Sequence, residues 1–253
     1  MARMKFMNTE IDNLTMNETL HEIEKIIKRN ESAYVVTPNV DHIVRLETNK
    51  DLQAVYKGAA LILTDGKPLI WIARWYKTPI KEKISGSDLF PLLCRLSAKR
   101  GYKMFFLGAA EGVAAKAAEN LSGKNKGLQV VGTYSPPFGF ESDEAELRKI
   151  KDMIKAAAPD ILIVGLGCPK QELFMYNHCM EMGVPISFGL GASLDFEAGN
   201  IKRAPRWMAD HGFEWLYRFF KEPKRMFRRY FVNDMKIIRL ASKYKRRTPK
   251  TKK

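Results

Sequence analysis

The sequence predicts an α/β fold: a Rossmann-like, mostly parallel sheet with helices on both faces, followed by a basic helical C-terminal appendage. Three observations predict it. Six short apolar segments recur along the chain, helical patterns of roughly 10–15 residues separate them, and nearly all of the net charge of +15 sits at one end of the 253 residues.

The apolar segments are Ala33–Thr37, Leu61–Thr64, Lys103–Leu107, Leu128–Thr133, Asp160–Gly165 and Pro185–Gly189. Near-continuous apolar runs suit parallel strands buried on both faces. The helical patterns are Met16–Lys28, Val40–Lys57, Asp88–Lys99, Val113–Leu121, Asp143–Ala157 and Gln171–Met182. Thr15 and Glu18 stand at capping-box spacing before the first of them. Strands alternating with helices imply βαβ units and a doubly wound sheet.

Residues 1–200 hold 25 Lys and Arg against 24 Asp and Glu, whereas residues 201–253 hold 18 against 4. The expected organisation is therefore a catalytic core over 1–200, a basic amphipathic appendage over 201–242, and a disordered basic tail over 243–253. A localised basic block calls for an anionic partner: a phosphorylated ligand, an anionic lipid surface or nucleic acid. Cys94, Cys168 and Cys179 show no CxxC spacing, which argues for a reducing compartment and against a zinc site. No stretch approaches the ~20 apolar residues that span a bilayer, so membrane attachment is expected to be peripheral.

Ligands of an open α/β sheet bind beyond the carboxyl ends of its strands, so polar residues there are the candidates. Thr37-Pro38-Asn39 ends the first strand; its alternative role is a helix N-cap. Thr64-Asp65-Gly66 ends the second. A rim aspartate beside a glycine suits a general base, and again the alternative is an N-cap. The turn from Gly108 to Gly112 could set a diphosphate over a helix N-terminus, although it lacks the full GxGxxG pattern. Gly167, Lys170 and Gln171 follow the fifth strand, where a helix opening near Pro169 offers an anion or sugar site.

Several chemistries are disfavoured. The sequence has no GxxxxGK[ST], HExxH or GxSxG motif. It has no Asp-x-Asp pair for a metal–diphosphate; Asp195-Phe196-Glu197 comes nearest and reads as structural. The four histidines are scattered, so no metal ligand set is expected.

From Phe213 onward, aromatic and basic residues interleave at helical spacing, and Pro223 is expected to divide the segment into two helices. Arg225 and Arg228 share a face of the second, whereas Arg218 sits in the first. Arginines can grip a diphosphate bidentately in place of a metal. The same segment can lie in a bilayer interface. Nucleic-acid binding is the rival reading, but no RNP1, KH or zinc-finger signature accompanies it.

Taken in order, these motifs carry a resemblance. Thr37-Pro38-Asn39, Thr64 through Pro68, Ser85 through Leu89, Pro136 through Gly139, Gly165 through Glu172, Gly199 through Trp207, Glu214 through Arg218 and Glu222 through Arg225 are similar to the WecG/TagA/CpsF family of glycosyltransferases, over residues from about 5 to about 240. The resemblance implies an inverting, metal-independent transferase with no cofactor. The likeness is greatest to the TagA branch, which moves N-acetylmannosamine from UDP-ManNAc to undecaprenyl-diphosphate-linked GlcNAc in a β-1,4 link, the committed step of wall teichoic acid synthesis. A different donor, UDP-ManNAcA or a UDP-hexose, is the alternative within the family. A non-catalytic anionic-lipid or nucleic-acid binder is the alternative outside it.

By this resemblance Asp65 is the base, and Thr37, Asn39 and Gln171 line the pocket. Arg218, Arg225 and Arg228 come from an appendage that closes over the site and helps dock it on the membrane. Lys83 stands where relatives often carry Arg, which a bidentate role would need. The implied partners are a UDP-sugar, a polyprenyl-diphosphate-linked sugar, the inner face of the cell membrane and a second copy of the chain, with no nucleic acid. The implied location is cytoplasmic and peripheral.

Overall fold

The computed structural model describes residues 3–205, 207–208, 214–221, 223, 227 and 234–246. Its centre is a six-stranded, wholly parallel sheet of β3 (Ala33–Val36), β4 (Leu61–Ile62), β5 (Lys103–Gly108), β6 (Gln129–Tyr134), β7 (Ile161–Gly165) and β8 (Ile186–Gly189). The strand order is β4-β3-β8-β7-β5-β6. All six predicted strands are present.

The pleat divides each apolar run between two cores. Met104 and Phe106 of β5, with Ile161 and Ile163 of β7 and Phe188 of β8, face one cluster. Phe105 and Leu107, with Leu162 and Val164, face the other. Both faces are thereby covered, as parallel strands require. The first cluster is completed from α1 (Met16–Arg29), α5 (Gly86–Arg100), α6 (Val113–Lys124) and α9 (Ser193–Ala198). The second is completed from α2 (Val40–Arg45), α3 (Lys50–Gly58), α4 (Lys67–Trp75), α7 (Glu144–Ala157) and α8 (Lys170–Met182).

The expected capping box forms. Thr15 Oγ1 accepts from Glu18 N at 3.2 Å, and Thr15 N donates to Glu18 Oε2 at 2.7 Å. Thr15→Ala should therefore cost about 1 kcal/mol, read as a lower denaturant midpoint at unchanged slope.

Three local features differ from the sequence reading. The helix expected over Val40–Lys57 is two, because Asn49 caps a new start by accepting from Leu52 N at 2.9 Å. Gln53 Nε2 then satisfies the Leu46 carbonyl at 2.7 Å. Helix α4 falls in a stretch for which no helix is expected; Pro68 lies in its first turn, where a missing N–H costs nothing. An N-terminal hairpin, β1 (Arg3–Phe6) and β2 (Thr9–Asp12), is also unexpected. It covers the edge strand β4: buried Asp12 takes the Ile62 N–H at 2.8 Å and the Arg3 guanidinium at 2.9 and 3.0 Å. Occupying the open edge in this way removes a site for unwanted strand pairing.

Beyond the core lie α10 (Glu214–Lys221) and α11 (Lys236–Lys245). The expected division of the segment at Pro223 falls among residues 222 and 224–226, which lie outside the described ones. Helix α11 runs through 243–245, so the expected start of the basic tail at 243 falls inside a helix. It is docked, not detached: Ala241 is buried, and its carbonyl accepts from Tyr76 Oη at 2.6 Å. Lys243 and Tyr244 both bond Glu47, and Lys245 Nζ lies 3.7 Å above the Trp75 ring. No helix among the described residues is long and apolar enough to cross a membrane.

Candidate active site

The carboxyl ends of β4, β3, β8 and β7 open into a cleft of about 580 Å³. Its walls are the turns that follow those strands and the start of α5.

Asp65 stands at the rim. Its backbone N–H bonds the Pro38 carbonyl at 2.8 Å, and Leu63 N bonds Val36 O at 2.9 Å, which ties the β3 and β4 ends together. The alternative role of Asp65 as an N-cap is not taken: Gly66 caps α4, with no side-chain hydrogen bond. Thr37, Asn39, Gly167 and Gln171 also line the cleft. Asn39 does cap its helix, its Oδ1 accepting from Asp41 N at 3.0 Å and His42 N at 3.4 Å. Capping and cleft exposure are compatible, because the amide nitrogen is on the other arm of the group.

Gln171 is 4% exposed, yet it reaches the cleft. Its Oε1 accepts from Gly191 N at 3.0 Å and its Nε2 donates to Glu172 Oε1 at 2.7 Å. Gly189 leaves room for this arrangement: a Cβ there would sit 3.0 Å from both Gln171 Nε2 and Met175 Cε and would press on the Gln171 amide.

Three expected ligand-binding positions lie off the cleft lining. Gly108 packs backbone to backbone against Gly165, and Ser135 Oγ bonds the Gly108 and Ala110 carbonyls, so this turn is closed on itself. Lys83 Nζ pairs with Asp88 at 2.9 Å behind the start of α5. Asp88 also takes Arg203 at 2.6 Å and Ser85 Oγ at 2.5 Å. Although burial opposes ionisation there, these partners hold its carboxyl well below the usual range. Lys170 pairs with Glu141 and covers the Phe138 ring. The Gln171 N–H is taken by the Gly167 carbonyl, so the α8 N-terminus has one fewer donor for a ligand than expected. The side chain of Arg218, and Arg225 and Arg228 entirely, lie outside the described residues.

The cleft also contains residues that sequence reading passed over. Asp195 lines it, whereas Glu197 turns away to Lys124 at 3.1 Å, so the two do not form a paired carboxylate. His42, one of four scattered histidines in the sequence, meets Cys168 and Glu172; one ligand-capable atom of each lies within 4.8 Å of the others. Its Nε2 is 3.2 Å from Glu172 Oε1. Spacing gave one usable signal, His42 three residues after the Asn39 cap. The meeting with α8 depends on β3 lying beside β8.

A rim carboxylate over a cleft floored by glycine turns, at the carboxyl ends of a parallel sheet, is a site for a phosphorylated or nucleotide ligand. Comparison with known proteins decides which kind. The description "Glycosyl transferase WecG/TagA/CpsF family" matches residues 4–251. The chain belongs to this family. It is 31% identical over 224 residues, 88% of this chain and 84% of the relative, to the N-acetylglucosaminyldiphosphoundecaprenol N-acetyl-beta-D-mannosaminyltransferase of Bacillus spizizenii. It is 31% identical over 193 residues, 76% of this chain and 73% of the relative, to the protein of the same name from Bacillus subtilis. It is 26% identical over 227 residues, 89% and 87% of the two chains, to that of Staphylococcus aureus. As a WecG/TagA/CpsF member the chain is a glycosyltransferase, and its parallel sheet is the Rossmann-like fold that the sequence predicts.

Proposed function

We propose that the chain transfers N-acetylmannosamine from UDP-ManNAc to the 4-hydroxyl of GlcNAc carried on undecaprenyl diphosphate, with Asp65 as general base. The carrying observation is the Asp65 carboxylate at the rim of a cleft that Asn39 and Gln171 also line, in a chain of this family. Asp65 takes the acceptor proton, the freed oxygen attacks the anomeric carbon, and UDP leaves from the opposite face. The configuration at that carbon inverts.

Charge then builds on the diphosphate and must be met by fixed positive groups. Among the described lining residues, the basic side chains are Arg45, paired to Asp41 at 2.9 Å, and His42, beside Glu172. The carboxylates are Asp41, Asp65 and Asp195. This balance supports a supply of cations from the basic segment beyond residue 200, with Arg218, Arg225 and Arg228 the candidates and no metal required. Arginine forks match phosphate oxygens in geometry as well as charge.

Exposed Trp207, Trp215, Phe220, Phe227 and Ile238 share that segment with its lysines and arginines. Apolar and basic groups combined in this way suit the headgroup region of an anionic membrane, where the lipid-linked acceptor resides. A uronic acid donor is less well supported, because Lys83 and Lys170, the cations expected to meet its carboxylate, are already ion-paired.

The test is a panel of UDP-sugars assayed with a lipid-linked GlcNAc acceptor, with and without EDTA. Turnover of UDP-ManNAc alone, indifferent to EDTA, is the expected result. Preference for another donor, or loss of turnover on chelation, overturns the corresponding part.

A further inference from the structure

We propose that buried Glu172 and His42 act as a positioning pair that fixes the amides of Asn39 and Gln171 at the cleft, with the His42 ring held doubly protonated. The inference deepens the glycosyl transfer reading and rests on it for its activity readout only.

Hydrogen-bond polarity carries the argument. The orientation of the Asn39 amide is settled by two backbone N–H groups, Asp41 and His42, which donate to Oδ1. That atom is therefore the carbonyl oxygen and can only accept. Two groups of Asn39 approach His42 Nδ1, its backbone N–H at 3.4 Å and Oδ1 at 2.9 Å; the shorter contact is to an atom that can only accept, and two lone pairs at that distance would repel, so Nδ1 donates to Oδ1. On the other side of the ring, Nε2 lies 3.2 Å from the Glu172 carboxylate, which also only accepts when ionised. A ring that donates from both nitrogens is an imidazolium.

The surroundings agree. Glu172 is wholly buried, and its Oε2 has no hydrogen-bond partner among the described residues. A buried carboxylate so poorly supplied with donors needs a positive neighbour. From α8 and the loop before it, His42 faces Glu172 and Cys168; from α3 it faces the Tyr56 ring at 6.5 Å; on α2 its neighbours are Asp41 and Arg45, which pair with each other. Burial opposes the proton, but bonds to Cys168 and Glu172 outweigh it and raise the His42 pKa to about 10. A raised value means the charged ring is present throughout the neutral range and is lost only as the pH climbs through about 10.

Glu172 Oε1 is thus a hub. It receives Gln171 Nε2 at 2.7 Å and His42 Nε2 at 3.2 Å, and His42 holds Asn39 in turn. One carboxylate, itself off the cleft lining, sets two amides that line the cleft. The pair acts through Asn39 and Gln171, so Glu172 is a positioning residue.

Two measurements test this. In ¹⁵N-histidine NMR, with His42 assigned by elimination in His21→Gln, His178→Gln and His211→Gln variants, the parent His42 should show two protonated nitrogens up to about pH 9, far above the ordinary value of about 6.5. In Glu172→Gln the ring should titrate within the neutral range. The variant-to-parent ratio of kcat/KM should then fall about 10- to 100-fold as the pH rises from about 6.5 to about 9, because the amides lose their register only when the proton is lost. Taking the ratio removes groups common to both proteins. A parent His42 that titrates near its ordinary value overturns the proposal, as does a ratio that does not change with pH, or stoichiometric zinc bound to the purified parent and lost in Glu172→Gln. The NMR result stands whatever sugar is transferred, so an error in the donor assignment would be told apart from an error here.

Discussion

Asp65→Asn is expected to lower turnover about 10²–10⁴-fold while UDP-sugar binding is retained. The substitution keeps the size of the side chain and its hydrogen-bonding capacity but removes the ability to take a proton. Its specificity as a test comes from the surroundings. The backbone of Asp65 is fixed by the Pro38 carbonyl, and the helix that follows is capped by Gly66 without a side-chain bond, so the carboxylate is not spent on the cap. A misfolded cleft is therefore not the expected consequence. Initial rates with saturating acceptor, together with calorimetric titration of UDP, separate the two effects. Unchanged turnover in the variant removes Asp65 from the role of base. Turnover and UDP binding lost together would give it a part in holding the donor.

Gly108→Ala should lower stability by about 3 kcal/mol, a fall in Tm of roughly 6–12 °C for a chain of this size. The backbone there has φ +108°, which an L side chain rarely adopts. An added Cβ would lie 2.6 Å from the Gly165 carbonyl oxygen and 2.7 Å from its carbon. Neither atom can move cheaply, since β7 is paired on both sides and the Gly165 carbonyl already accepts from Ala109 N at 2.8 Å. Gly165 itself lines the cleft, so strain at residue 108 should also reduce activity. Gly112→Ala is the control: φ is +77°, but nothing lies within 4 Å of the new Cβ, so only the conformational cost of roughly 1 kcal/mol remains. Equal thermal shifts in the two variants would show that the backbone contact at Gly165 carries no weight.

The Gly108 contact shows why a glycine turn is ambiguous in sequence. A glycine at a strand-to-helix turn reads as a ligand cradle, because a close-approaching phosphate and a close-approaching strand make the same demand on the residue. Only the neighbour distinguishes them, and here it is β7. Lys83 and Lys170 are a second case. Cations beside a predicted site look available until their partners, Asp88 and Glu141, are known, and both pairings depend on how the chain folds between the partners. The single helix expected over Val40–Lys57 is a third, since the Asn49 cap that breaks it has no periodicity of its own.

What the sequence determined by itself was local and repetitive: six strands, the alternation that puts helices on both faces, the Thr15 cap, and the rim positions of Thr37, Asn39, Asp65 and Gln171. These follow from side-chain periodicity and from the rule that ligands of a parallel sheet gather at strand ends, both of which act over a few residues. Tertiary structure alone decided that β8 inserts between β3 and β7. That placement brings His42 of α2 against Glu172 of α8, 130 residues away, and folds α11 back on Tyr76 and Glu47. Strand order depends on the relative stability of whole packings, so contacts that cross between elements are fixed only when the complete sheet is assembled.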